Sequence, residues 1–180
     1  MTAEAASVSE QDRQAGSSSS SPPHYDVTAL QMTIWFNRDG DHDHNGMVFA
    51  LTKNVPILKY IDALGKADRP GGQYPTDQLR QAAAARAEEI EVDLPLTPAQ
   101  ARQPHPLVRP LVLRARKEEC ITVTLTNEIR RRRVGLHLVA DGYDVGENDG
   151  SNVGANPSSL VPAPDEPSTP DGTPTYHTRT

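Results

Sequence analysis

The run CITVTLTN, residues 120–127, constrains this chain most. Ile121, Val123 and Leu125 alternate with Thr122, Thr124 and Thr126. An extended chain therefore sends the aliphatic side chains to one face and the threonines to the other. That is the period of a half-buried strand, so the fold must contain a sheet with at least one covered face. Just upstream, LVLRAR (residues 111–116) reads as a second strand, joined to the first through the turn residues Lys117, Glu118 and Glu119. Downstream, residues 134–140 read as another short strand carrying His137. The basic run Arg130 to Arg133 lies between two strand-like segments, which predicts a solvated hairpin loop rather than an anion or nucleic-acid patch.

The amino-terminal half adds two strands and two helices. YDVTALQMTIWFN (residues 25–37) alternates in part and is rich in β-branched and aromatic residues, and MVFAL (residues 47–51) follows it as a short strand. Asn54 is placed to cap a helix with Ile57, Leu58, Ile61 and Leu64 at helical spacing and Gly65 as its stop. Thr76 is placed to cap a second, Ala-rich helix that runs to Glu89. Proline punctuation over residues 95–110 predicts a crossing loop. The pattern is mostly β with two short helical insertions, and a two-sheet sandwich is the economical architecture.

Composition sets the outer limits. Of 180 residues, 36% are apolar and 16 are proline. The polar excess sits at the ends. Residues 1–23, with SSSSSPP, predict a disordered amino-terminal tail, and residues 158–180 form a Pro/Ser/Thr-rich carboxy-terminal segment. Residues 24–157 remain for the core, a modest domain. A net charge of -6 and a pI near 5.5 argue against a general nucleic-acid surface. No apolar run approaches membrane-spanning length. The amino terminus lacks the basic start and apolar middle of a signal peptide, so the default expectation is a cytoplasmic, non-secreted chain. The single cysteine, Cys120, excludes an internal disulfide and is expected to act as a small buried apolar residue.

One stretch invites a metal reading. GDHDHNGMVF (residues 40–49) places Asp41, His42, Asp43 and His44 side by side. Asp41, Asp43, Asn45 and Gly46 match the first half of a calcium loop. The twelfth position, where a bidentate Glu belongs, is Thr52, and the flanks read as strands rather than helices. His42 and His44 would lie on one face of an extended chain, but zinc or copper needs three or four ligands. A polar turn between strands is the plainer reading, because Asp, Asn and Gly tolerate left-handed geometry.

Three separated stretches, in order, carry a family resemblance. PLVLRARKEECITVTLTNEI is similar to a strand of the form "PLVLRAxxGDCIxVxLTN". Tyr143, Asp144, Val145, Asp149, Gly150, Asn152, Val153, Gly154, Asn156 and Pro157 stand in the order of a "YDVxxSDGxNVGxNPxS" segment. The opening loop is similar to "DHDxxGMxFxL". Together, over roughly residues 25–164 and weakly across the two helices, they resemble the amino-terminal cupredoxin-like domain of large bacterial multicopper oxidases, the ceruloplasmin-like and manganese-oxidising type. The resemblance implies an incomplete Greek-key β-sandwich over residues 24–157, copper as cofactor, and His137 at the first position of a His-x-His copper pair. It also makes GDHDHNGMVF a family turn.

The departures from the family are equally specific. The second position of the pair is Val139, and no His-Cys-His occurs. A mononuclear copper needs a Cys thiolate with two His, and one His cannot hold a redox cluster. The expectation is a truncated oxidase domain, inactive alone, whose partner is the remainder of an oxidase or another copy of itself. The carboxy-terminal segment is expected to be too rich in proline to close the sheet, leaving an open strand edge. The alternative is a stand-alone, non-redox β-sandwich binding module that uses the acidic loop and the loop after Tyr143 as its contact surface.

Overall fold

The computed structural model describes residues 22–138, 150 and 160–166, and the backbone of 175–179. Strand β1 (His24–Trp35) is central. Strand β2 (His42–Leu51) pairs with it antiparallel, from Val27 opposite Leu51 to Trp35 opposite His42. Met32 faces Gly46 but Ile34 faces Asp43, so β2 carries one extra residue, with His44 and Asn45 opposite Thr33 alone. The Thr33 amide at this bulge donates to Asp62 Oδ1 at 2.9 Å, which satisfies a buried strand donor from a neighbouring helix.

On its other edge β1 pairs in parallel with β3 (Cys120–Asn127), from His24 opposite Thr122 to Ala29 opposite Asn127. A parallel pair needs a long crossover. The intervening chain supplies it through a 3-10 turn (Thr52–Asn54) and helices α1 (Val55–Lys66), α2 (Asp77–Glu89) and α3 (Pro98–Ala101). Strand β4 (Thr175–Arg179) pairs antiparallel with β3, which makes the sheet order β2-β1-β3-β4. None of the described helices is long and apolar enough to cross a membrane.

Two apolar layers cover β1. On one face, Val27 and Ala29 meet Ile121, Val123, Leu125, Ile129 and Val161, with Leu111, Leu113 and Leu136 packed against them. On the other, Leu30 and Met32 meet Val55 and Leu58 of α1. Cover on both faces explains the unbroken burial from Val27 to Leu30, where a half-exposed strand would alternate. A third cluster lies among the helices, with Ile57, Tyr60, Ile61 and Leu64 against Ala83, Ala87 and Ala101. Each fully buried Leu, Ile or Val contributes about 1.5–3 kcal/mol by leaving water.

Asn127 ties the end of β3 to a distant segment. Its Nδ2 reaches the carbonyls of Arg132 (2.7 Å) and Pro162 (3.0 Å), and its Oδ1 accepts from the Ile129 amide at 2.8 Å. Beside it, Val134 and Val161 exchange both backbone hydrogen bonds, at 3.0 and 2.8 Å.

Several expectations hold. Ile121, Val123 and Leu125 are buried, at 6%, 0% and 0% exposure. Thr76 caps α2 by accepting from the Leu79 amide at 3.2 Å. Arg130 to Arg133 lie exposed, with Arg133 Nε meeting Glu166 Oε2 at 3.0 Å, but they join no hairpin, because Val134 bridges to Val161 rather than to β3.

Others are corrected. Strand and helix occur in nearly equal amounts, around one mixed sheet and with three helices rather than two, and no second sheet occurs among the described residues. Residues 111–116 form no strand. Leu111 and Leu113 do pack inward, but β1 and β4 already occupy both edges of β3, the strand they were expected to pair with. In the expected strand at 134–140, Val134 alone of the described residues makes a ladder contact, and 139–140 lie outside them. Helix α1 runs through Gly65 to Lys66, and the Asn54 side chain does not cap it, because Asn54 Oδ1 accepts from Arg86 Nε at 2.9 Å instead. Cys120 is exposed, since the inward positions of β3 are odd-numbered and Cys120 shares the threonine face. Finally, the expected open edge of β3 is paired. Proline is absent from 175–179, so each of those residues keeps the amide that a ladder requires.

Candidate functional surface

The tip of the β1–β2 hairpin holds the four residues singled out for a metal. Asn37 organises the turn: its Oδ1 accepts the amides of Asp39 (3.0 Å) and Asp41 (3.1 Å), and its Nδ2 donates to Asp41 Oδ2 at 2.6 Å. The Phe36 amide closes the turn onto the Asp41 carbonyl at 2.9 Å. Gly40 takes φ 102°, a conformation that side-chain-bearing residues rarely adopt. Asp43 Oδ1 accepts the Asn45 amide at 2.8 Å. Asp41 thus braces the turn and Asp43 the bulge; the turn expected over residues 40–46 is shorter, because β2 begins at His42 and carries Asp43 and His44 within the strand pair.

His42 and His44 do converge. His42 stacks on Trp35, its partner across the strand pair, with ring centroids 4.2 Å apart. Arg69 holds the same indole from elsewhere, its guanidinium carbon 5.5 Å from the ring centroid. His42 Nδ1 lies 2.6 Å from the Gly40 carbonyl, and the two Nε2 atoms of His42 and His44 are 2.9 Å apart.

His137 lies elsewhere, on the wall of an open apolar groove of about 830 Å³. Trp35, Phe36, Met47 and Phe49 of the hairpin form one side, and Leu111, Leu113 and Leu136 contribute to the other. Phe36 and Met47 are 63% and 50% exposed along it. His137 is itself exposed. Its expected pair position, Val139, and the segment beginning at Tyr143 lie outside the described residues.

His105 is held by two local contacts. Its Nδ1 accepts the Leu107 amide at 3.2 Å, and Nε2 lies 3.4 Å from the Asp93 carbonyl. Burial holds it below the ordinary histidine range, against the opposing pull of the Asp93 carbonyl. At the end of α2, Arg86 hydrogen-bonds and attracts Glu89, holding that carboxyl below its usual range.

Among the described residues, no three His, Cys, Asp or Glu side chains gather around a point that a metal could occupy. Cys120 stands on the threonine face of β3 and His137 on the groove, so the described residues do not assemble the thiolate and two imidazoles of a mononuclear copper centre. No step of oxidase chemistry is assigned to them. The groove was not legible in the sequence, because Phe36, Met47 and Leu136 are far apart along the chain. The Trp35–His42 contact left one usable signal: an aromatic and a His-x-His at the facing ends of two strands joined by a short turn. No family model matches the chain, and a search of curated proteins finds no match.

Proposed function

We propose that this chain is an interaction domain of multicopper-oxidase type. It would supply a β-scaffold and take part in copper-dependent oxidation only when joined to, or associated with, further polypeptide. The single observation that carries this reading is the groove beside His137. Its exposed aromatic and thioether side chains form an apolar concavity of about 830 Å³. Large apolar residues gathered at a concave surface mark a contact with another chain. The ordered resemblance of three sequence stretches names the kind of assembly, and the cupredoxin-like Greek key belongs to the same proposal.

Sequencing the coding DNA on both sides of this chain tests it. A continuing or adjacent frame with further His-x-His pairs and a His-Cys-His supports the reading, and their absence overturns it. Copper-loaded chain alone should show no steady oxygen uptake with a phenolic or metal-ion donor.

A second reading, a stand-alone non-redox binding module, is favoured by a different observation. Strand β4 covers the edge of β3 from within the chain. Light scattering separates the two: a compact monomer at every concentration favours the module, and concentration-dependent association favours the oxidase-type domain.

A further inference from the structure

The hairpin tip carries a site that does not depend on the oxidase reading. A backbone carbonyl can only accept, so the 2.6 Å contact to Gly40 places the His42 proton on Nδ1 and leaves Nε2 with its lone pair free. That lone pair faces Nε2 of His44 at 2.9 Å. Without an ion, the His44 Nε2–H donates across this gap; moving that proton to Nδ1 of the same ring frees the second lone pair, and a small rotation of the exposed His44 ring aims both at one ion. A ring nitrogen fixed by a carbonyl on its other side is the usual support of a metal-ligating histidine. Nitrogen donors take Cu²⁺ more tightly than Zn²⁺.

Two further features position the pair. The cross-strand stack on Trp35 holds the His42 ring in place. The bulge at His44 and Asn45 sets where the second ring projects. The surrounding charge is mixed: Asp39, Asp41 and Asp43 lie on the tip, while Lys59, Lys66 and Arg130 line the pocket beside His44.

We propose that His42 and His44 form a two-nitrogen chelate for a divalent transition ion, Cu²⁺ before Zn²⁺, completed by water.

Trp35 is the chain's single tryptophan and provides the readout. The full chain is titrated with CuCl₂ while indole fluorescence is followed. The expected result is quenching that saturates at one equivalent, reversal by excess EDTA, and no response to Ca²⁺. His44→Ala keeps the Trp35–His42 stack and should bind at least about tenfold more weakly. Its circular dichroism should match the wild type, because His44 is exposed. Pulsed electron paramagnetic resonance of the 1:1 adduct should show two coupled imidazole nitrogens in the wild type and one in His44→Ala. Unsaturable quenching, an unchanged titration in His44→Ala, or a spectrum without imidazole coupling overturns the proposal.

Discussion

The β1–β2 hairpin is two different objects at its two ends. At its base, Leu30 and Met32 are 3% and 1% exposed and β1 is covered on both faces. At its tip, a turn braced by Asn37 presents Phe36, Trp35 and two imidazoles to the surface. The base is fixed by apolar cover supplied from far along the chain, through α1 and β3. The turn is fixed by short polar contacts among residues 36–45, with Asp62 and Arg69 reaching the bulge and Trp35 from outside it. A locally braced turn can vary its outward side chains without disturbing the core, and this is where a protein places recognition.

The sharpest way to break the comparison is to charge the base. Val123→Asp places an unpaired carboxylate at a fully buried position and should cost several kcal/mol, on the order of a small domain's entire stability. The chain should be insoluble or lack a cooperative melting transition. A soluble variant with the wild-type melting temperature would mean that this face is not the core.

A smaller loss is expected in the helical layer. Ile57→Ala should destabilise by about 2–5 kcal/mol in urea unfolding, since Ile57 is 0% exposed within the cluster of helical side chains. Asn127→Ala comes next. It strands the Ile129 amide and the carbonyls of Arg132 and Pro162, and should cost about 1–3 kcal/mol.

His105 sharpens the comparison through pH. Its pKa is depressed in the folded chain below the ordinary 6.5, so the unfolded state binds the extra proton first. Stability is therefore full above about pH 6.5 and falls as pH drops through the window below it. Protonation also turns Nδ1 into a donor facing the Leu107 N–H. His105→Gln should flatten this slope of melting temperature against pH, by less than any of the losses above.

Least costly is the tip. Phe36→Ser should change stability by no more than about 0.5 kcal/mol, yet lower the fluorescence of a bound apolar dye and any concentration-dependent association. A large loss of stability would show that the groove is core rather than contact surface.

What the sequence disclosed follows the same division. The period-2 run of β3 and the Thr76 cap were readable because each is a local rule with one physical cause. Strand pairing was not. LVLRAR has the alternation of a strand, but ladder positions are finite, and nothing in those six residues says that β3 already has two neighbours. The exposure of Cys120 follows from the same period, since the alternation that buries Ile121 puts residue 120 on the opposite face. Proline dominates the carboxy-terminal segment and argues for an open edge, but residues 175–179 are free of it and pair with β3. At the tip, the polar turn was legible from Asp, Asn and Gly. The convergence of His42 and His44 was half legible, since strand period puts them on one side but gives neither their separation nor the stacked indole.

The parallel pairing of β1 with β3 sets a timetable for synthesis. The hairpin can close as soon as Leu51 has emerged, but Asn127 lies 92 residues beyond Trp35 (127 − 35 = 92). At ribosomal rates of about 5–20 residues per second, β1 waits roughly 5–20 s with one backbone edge unsatisfied. During that interval α1 covers one face, while the other edge is a template for any strand nearby. The burden on a cell is therefore set by elongation speed through residues 52–119 as much as by the stability of the finished sheet.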